Sequence, residues 1–84
     1  MLVRVDNGAI FLGERGKLYT CPVALAIGHA FHITPISVRI IDDDRVNVGL
    51  GPTNHIIDNK SLVDWIKSFD AGKSVSPFSF YMEI

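Results

Sequence analysis

The sequence predicts a small α+β domain with the element order ββαββ(β)αβ, in which two helices pack on a mixed or antiparallel sheet. Three patterns lead to this prediction. Thr20–Phe31 is apolar on nearly every side of a predicted helix, residues 36–50 alternate between apolar and polar, and residues 60–69 carry apolar side chains at helical spacing. Because 84 residues suit one domain, we expect residues 1–84 to form a single unit.

The chain opens with two apolar-rich runs, residues 2–6 and 9–12, on either side of Asn7-Gly8. Asn-Gly is the strongest short hairpin signal, since both residues tolerate the positive φ of a type I′ turn. We therefore expect an opening β-hairpin. Residues 13–17, with two glycines and mixed charges, then form an exposed connection.

The apolar run at Thr20–Phe31 predicts the core helix. The Thr20 hydroxyl is suited to cap its start, and Pro22 falls in the first turn, where a missing N–H costs nothing. Pro35 disfavours helical geometry at Thr34, so we expect the helix to have ended by Thr34. At about 1.5 Å per residue the helix is too short to cross a membrane.

Residues 36–50 predict a second hairpin with one solvated face. Ile36, Val38 and Ile40 alternate with polar residues, and the alternation resumes at 46–50 after Asp42-Asp43-Asp44. A turn at 51–54 precedes Ile56-Ile57, which predicts a further short strand.

The last third of the chain predicts an amphipathic helix and a strand. Asp58 or Asn59 caps the helix, its apolar stripe is Leu62, Trp65, Ile66 and Phe69, and Gly72 takes the left-handed position past its end. Phe78–Ile84 alternates as a strand with an apolar inner face.

Composition favours a chain that binds another protein. A 48% hydrophobic content and a mean hydropathy of +0.27 leave more apolar surface than one small core hides. We therefore expect a protein partner, together with a weak two-fold homodimer through a strand edge or the Trp65 helix. Net charge −1 makes nucleic acid an unlikely partner, and no membrane association is predicted. One cysteine and no signal-peptide pattern predict the cytoplasm.

Two fragments carry a resemblance. Residues 21–26 are Cys-Pro-Val-Ala-Leu-Ala, and residues 69–80 are Phe-Asp-Ala-Gly-Lys-Ser-Val-Ser-Pro-Phe-Ser-Phe. They resemble small phage- and prophage-encoded proteins with a CP-[IV]-A-L-A helix start, a Val-Gly element, here Val48-Gly49, and an FD-x-G-x-x-V-x-PF-x-F ending. The resemblance implies a phage or mobile-element setting, hence the host cytoplasm, and supplies no catalytic residues. The same motifs also suit the packing of an α+β core.

Four residues are candidates for chemistry. Cys21 lies in the first turn of a helix, where the dipole lowers a thiol pKa, and His29, His32 and His55 add three nitrogen ligands. However, His29 is about 12 Å along the helix from Cys21, and the set matches no compact zinc pattern. Cys21 in an apolar run is typical of packing. Asp42–Asp44 lacks the other ligands of a calcium loop. We predict no enzyme, no cofactor and no metal.

The remaining candidates are contact residues. Trp65 and Tyr81 are aromatic side chains of the kind that anchor interfaces, and Arg39 and Arg45 fall on one side of the second hairpin. The leading hypothesis is a small accessory protein that binds and modulates a host protein, such as a defence component. The alternatives are a ligand-binding protein or enzyme that uses Cys21 and His29, and a nucleic-acid-binding module.

Overall fold

Three helices and two antiparallel sheets make up the described part of the chain, residues 1–33 and 36–83 of a computed structural model. The elements are β1 (Leu2–Val5), α1 (Asn7–Leu12), α2 (Pro22–Phe31), β2 (Ile36–Ile40), β3 (Arg45–Leu50), β4 (Thr53–Asp58), α3 (Lys60–Asp70) and β5 (Phe78–Tyr81). One sheet has the order β1-β5 and the other β2-β3-β4. The predicted α+β class is confirmed, with one helix more and one strand less in the first part of the chain.

The predicted opening hairpin is wrong, because residues 7–12 are helical. Asp6 caps α1: its Oδ1 accepts a hydrogen bond from the Ala9 N–H at 2.9 Å, and its carbonyl accepts one from the Ile10 N–H at 3.0 Å. An aspartate directly before Asn7-Gly8 is therefore a stronger local signal for a helix start than the turn signal of Asn-Gly. The partner of β1 comes from the other end of the chain.

β1 pairs with β5 in an antiparallel register that places Val3 opposite Phe80 and Val5 opposite Phe78. Val3 and Val5 are fully buried, and α2 packs against β1. The Met82 N–H extends the pairing by donating to the Met1 carbonyl at 3.0 Å. The predicted C-terminal strand is confirmed from Phe78 to Tyr81, and the predicted end at Ile84 lies outside the described residues.

α2 is the predicted core helix, and it begins one residue later than expected. Cys21, and not Thr20, is the N-cap, and its Sγ accepts a hydrogen bond from the Ala24 N–H at 3.4 Å. Pro22 occupies the first helical position. The helix ends at Phe31, where His32 takes the left-handed conformation, with φ of 56°. The stop predicted from Thr34-Pro35 lies outside the described residues.

The three-stranded sheet contains the predicted second hairpin and a third strand, β4, that is longer than Ile56-Ile57. The acidic turn is ordered by Asp42, whose Oδ1 accepts from the N–H groups of Asp44 and Arg45, each at 2.9 Å. Lys67 of α3 binds Asp43 at 2.8 Å, which ties this turn to the helix. Val46 and Val48 face the core, and β4 is an edge strand.

α3 is the predicted amphipathic helix. Asn59 is its N-cap, accepting from the Leu62 N–H at 3.0 Å, and the helix closes with a Schellman motif at Gly72 (φ of 82°). In that motif the Gly72 N–H donates to the Phe69 carbonyl and the Lys73 N–H to the Ser68 carbonyl, both at 3.0 Å. One core cluster joins residues of α2, α3 and both sheets, among them Val3, Ile27, Val48, Leu62 and Phe80.

Candidate functional site

The two predicted arginines share the outer face of the β2-β3-β4 sheet. Arg39 lies opposite Asn47, and Arg45 is two residues before Asn47 on the same strand, so their side chains leave the sheet on the same side. Arg45 forms a two-point ion pair with Asp42, at 2.7 and 2.9 Å. The charge of Arg45 is therefore neutralised by Asp42. Within the described residues, this leaves Arg39 as the one cation of this face without an ion-pair partner, so the face is not a basic patch.

Trp65 lies on the other side of the same sheet, on α3. Its indole N–H donates to the Ser76 carbonyl at 2.8 Å, and its ring stacks on Phe69 with a centroid separation of 5.8 Å. The half-buried indole therefore holds the segment between α3 and β5. A role for Trp65 in binding a partner stays a prediction.

Tyr81 belongs to the two-stranded sheet, where it lies opposite Leu2. The ring is 77% exposed, and Leu2 beside it is partly exposed. The four predicted contact residues are thus distributed over separate surfaces, with only the two arginines on a common face.

Cys21 is buried, as its apolar surroundings predict, and its sulfur caps α2. Burial raises the pKa of the thiol, and this effect outweighs the hydrogen bond from Ala24, which lowers it. Burial therefore opposes the lowering of the thiol pKa that a position at a helix start favours. His29 is exposed and lies eight positions after Cys21, about 12 Å away along the helix axis.

The histidines and carboxylates do not assemble a metal site in the described residues. Nowhere in residues 1–33 and 36–83 do three or more His, Cys, Asp or Glu side chains come together in a metal-binding group. His29 and His32 approach each other, with ring centroids 6.5 Å apart, but both side chains are exposed and lack a third ligand in this part of the chain.

Two large apolar side chains of α1, where the sequence predicted a strand, are strongly exposed. Phe11 is 88% exposed and Leu12 is 70% exposed, while Ala9 and Ile10 of the same helix pack against the core. Alternation on a strand would have placed Phe11 and Leu12 on opposite faces. A six-residue helix instead leaves both side chains exposed, about 100° apart around its axis, and a strand assignment could not predict this exposure.

A groove lies on each side of α1. The larger, of about 650 Å³, runs between α1 and the loop after α3. Its apolar lining includes Ile10, Phe11 and Phe69, and its charged rim consists of Glu14, Arg15 and Lys73. The smaller, of about 300 Å³, lies between α1 and α2 and is lined by residues that include Arg4, Leu12, Leu25 and His29. We call Phe11, Leu12 and these two grooves the α1 surface.

The rim of the larger groove is held in place by α3. The Arg15 guanidinium lies 5.9 Å from the centre of the Phe69 ring, a cation–π distance, and the Gly16 N–H donates to Asp70 Oδ1 at 3.0 Å. Within the described residues, no carboxylate is within ion-pair distance of Arg15 or Lys73. The groove thus has a fixed apolar floor and two cations that lack a partner in this part of the chain.

None of the three helices in the described ranges is long and apolar enough to span a bilayer. Comparison with protein-family models, curated proteins and solved structures gave no match. The geometry above therefore defines a small α+β domain with an exposed apolar surface on α1.

Proposed function

We propose that this protein is a small accessory domain that binds another protein through the α1 surface. The exposure of Phe11 and Leu12 is the observation that carries the proposal. Two adjacent large apolar side chains in water are costly, and aromatic residues in such positions are characteristic of interface anchors.

The surroundings of Phe11 have the anatomy of an interface core with a polar rim. Ile10 and Phe69 extend the apolar area into the larger groove, and Arg15 and Lys73 border it. These two cations have no carboxylate within ion-pair distance in the described residues and outnumber the one carboxylate of the rim, Glu14, so the surface suits an apolar anchor flanked by acidic side chains. We infer that the partner presents this combination.

The resemblance to phage-encoded proteins supplies the biological setting of the proposal. In that setting the partner is a host protein in the host cytoplasm, such as a defence component, and binding modulates its activity. The resemblance rests on residues 21–26 and 69–80. The second of these fragments contains Phe69 and Lys73, which line the larger groove.

The test is affinity capture from bacterial lysate with three forms of the tagged protein. These are the wild type, the double variant Phe11→Ser/Leu12→Ser, and the control Tyr19→Ser, which removes an exposed aromatic residue (59% exposed) outside the two grooves. We expect a protein that is captured by the wild type and the control and lost with the double variant. Nuclease treatment of the lysate should leave this capture unchanged.

Two results would contradict the proposal. Capture that survives Phe11→Ser/Leu12→Ser would move the contact away from the α1 surface. Capture that disappears with nuclease would instead favour a nucleic-acid ligand, for which Arg39 would be the first residue to substitute. Far-UV circular dichroism of each variant verifies the fold, and the exposed positions of all three side chains predict unchanged spectra.

A further inference from the structure

β4 is an outer strand of the three-stranded sheet, and within residues 1–33 and 36–83 the backbone groups on its outer side have no partner strand. In this part of the chain β4 pairs with β3 alone, in the register Leu50↔Thr53 to Arg45↔Asp58. Residues 53–58 include no lysine and no proline, the residues that commonly protect an edge from further pairing. The strand is six residues long, which is enough for a stable pairing with another strand.

The hydrogen-bond pattern identifies which residues face outward from the edge. A two-residue loop, Gly51-Pro52, joins the strands, so Leu50 and Thr53 form the hydrogen-bonded pair that closes the hairpin. Asn59 lies six residues after Thr53, and its N–H donates to the Asp44 carbonyl at 2.8 Å. This bond confirms that the odd-numbered residues direct their backbone N–H and C=O groups towards β3. The N–H and C=O groups of Asn54, Ile56 and Asp58 consequently point away from the sheet.

We propose that this edge binds a second copy of the chain, antiparallel, about a two-fold axis that passes between the two Ile56 residues. In this register Ile56 lies opposite its own copy, and Asn54 lies opposite Asp58 of the partner subunit. Only this register pairs all three outward-facing residues of one chain with outward-facing residues of the other. The two sheets then form one continuous sheet of six strands.

The side chains on the outer face are complementary in this register. Ile56 is 55% exposed in the single chain and packs against the same residue of the second copy. The Asn54 amide oxygen accepts from the Asn47 amide at 3.1 Å, so the Asn54 amide nitrogen stays available as a donor. It lies opposite the partner's Asp58, whose carboxylate is an acceptor.

The first test is sedimentation velocity over a range of micromolar concentrations. We expect the wild type to show a concentration-dependent monomer–dimer equilibrium. Ile56→Lys places two cations directly opposite each other and should weaken the dimer at least about tenfold. The matched control is Ile41→Lys, an exposed residue on the turn side of β2, which should leave the dimer unchanged. The double variant Phe11→Ser/Leu12→Ser should also dimerise normally, which separates this inference from the proposed function.

The second test measures the register itself and does not depend on how Ile56→Lys folds. In a Cys21→Ala background, Ile56→Cys places two thiols across the two-fold axis, with Cα atoms about 5.5 Å apart, within disulfide range. Oxidised glutathione accepts the two electrons, and we expect a covalent dimer on a non-reducing gel. Ile41→Cys in the same background should stay monomeric on the gel.

A wild type that is monomeric at every concentration would overturn the inference. So would a dimer that tolerates Ile56→Lys, or crosslinking that is as efficient through residue 41 as through residue 56. If the monomer instead binds an extended peptide along β4, with Ile56→Lys abolishing that binding, the edge recognises a different partner and the second-copy assignment is wrong.

Discussion

The indole N–H of Trp65 donates a hydrogen bond to the carbonyl oxygen of Ser76 at 2.8 Å, and this contact fixes the segment that leads from α3 into β5. The ring also stacks on Phe69 and contacts Phe78, so one side chain joins the end of α3 to the start of the last strand. The tryptophan therefore helps to hold α3 and β5 in place relative to each other, across the loop that connects them.

We expect Trp65→Phe to lower the free energy of unfolding by roughly 1–2 kcal/mol, because the hydrogen bond is lost together with part of the ring contact. Trp65→Ala should cost about 3 kcal/mol. Urea unfolding followed by far-UV circular dichroism measures both, since the variants lack the single tryptophan. Tyr81→Phe is the control and should change the value by less than about 0.5 kcal/mol. Equal values for Phe and Ala at position 65 would assign the whole effect to the hydrogen bond.

Gly8 in the first turn of α1 and Gly13 directly after the helix should respond in opposite ways to alanine. A Cβ at Gly13 would overlap the Pro22 ring, so Gly13→Ala should cost more than about 1 kcal/mol. A Cβ at Gly8 meets only Asp6 Oδ1, at 3.4 Å, and Gly8 lies in the first turn of α1. Gly8→Ala should therefore be neutral or stabilising, by up to about 0.5 kcal/mol.

The Gly8 result also distinguishes a helix from the type I′ turn that the sequence predicted. In such a turn Gly8 has a positive φ, and alanine would be strained there. A clear loss of stability in Gly8→Ala, as measured by urea unfolding, would contradict the assignment of residues 7–12 to α1.

Cys21 should react slowly with thiol reagents in the folded protein. Burial shields the sulfur and raises the pKa of the thiol, so both access and thiolate formation are suppressed at neutral pH. Titration with a chromogenic disulfide should be slow in buffer and fast in urea. Rapid reaction in buffer would contradict the packing role.

The same pKa shift predicts how stability depends on pH. Because the thiol pKa is higher in the folded than in the unfolded protein, the folded state holds this proton more tightly. The stability that this protonated thiol contributes is fully present below about pH 8.5, the pKa of a thiol in the unfolded protein. It is lost as the pH rises from there through the higher pKa of the thiol in the folded protein. Cys21→Ala should remove this alkaline decline while it lowers stability at pH 7 by about 1 kcal/mol.

The turn at Asp42 gives the opposite pH dependence. Hydrogen bonds from Arg45 and from the Asp44 N–H hold the pKa of the Asp42 carboxyl below its usual range. Its stabilising contribution is therefore present above about pH 4 and lost as the pH falls through the folded pKa. Asp42→Asn keeps an acceptor for the turn and removes the charge, so it should be less stable than the wild type at pH 7. The two proteins should converge near pH 2, and a constant difference would contradict this account.

Most of the elements could be predicted from local patterns, because alternation and helical spacing are written in neighbouring residues. β2, β3, α2, α3 and β5 belong to this group. The region before Gly13 could not, since Asp6 and Asn7-Gly8 give competing signals over the same residues. The partner of β1 comes from the far end of the chain, and no local pattern identifies it.

The candidate site was less predictable than the fold. Exposure of Phe11 and Leu12 depends on whether another element covers α1, which is a property of the assembled core. Trp65 and Tyr81 were identified by residue type alone, and the structure places them on different elements. The buried state of Cys21, in contrast, was predictable from its apolar neighbours.

The pairing of β1 with β5 has a consequence for the order in which the chain folds. The three-stranded meander and its helices are built from contacts between neighbours in sequence, which form quickly. The β1-β5 ladder instead closes a loop that contains all six other elements, so we expect it to form late in folding, because closing so long a loop costs more entropy. During synthesis, Val3 and Val5 emerge before Phe78 and Phe80 and stay without these strand partners until β5 follows. An early apolar strand that waits in this way is the segment of the nascent chain where a chaperone would be expected to bind.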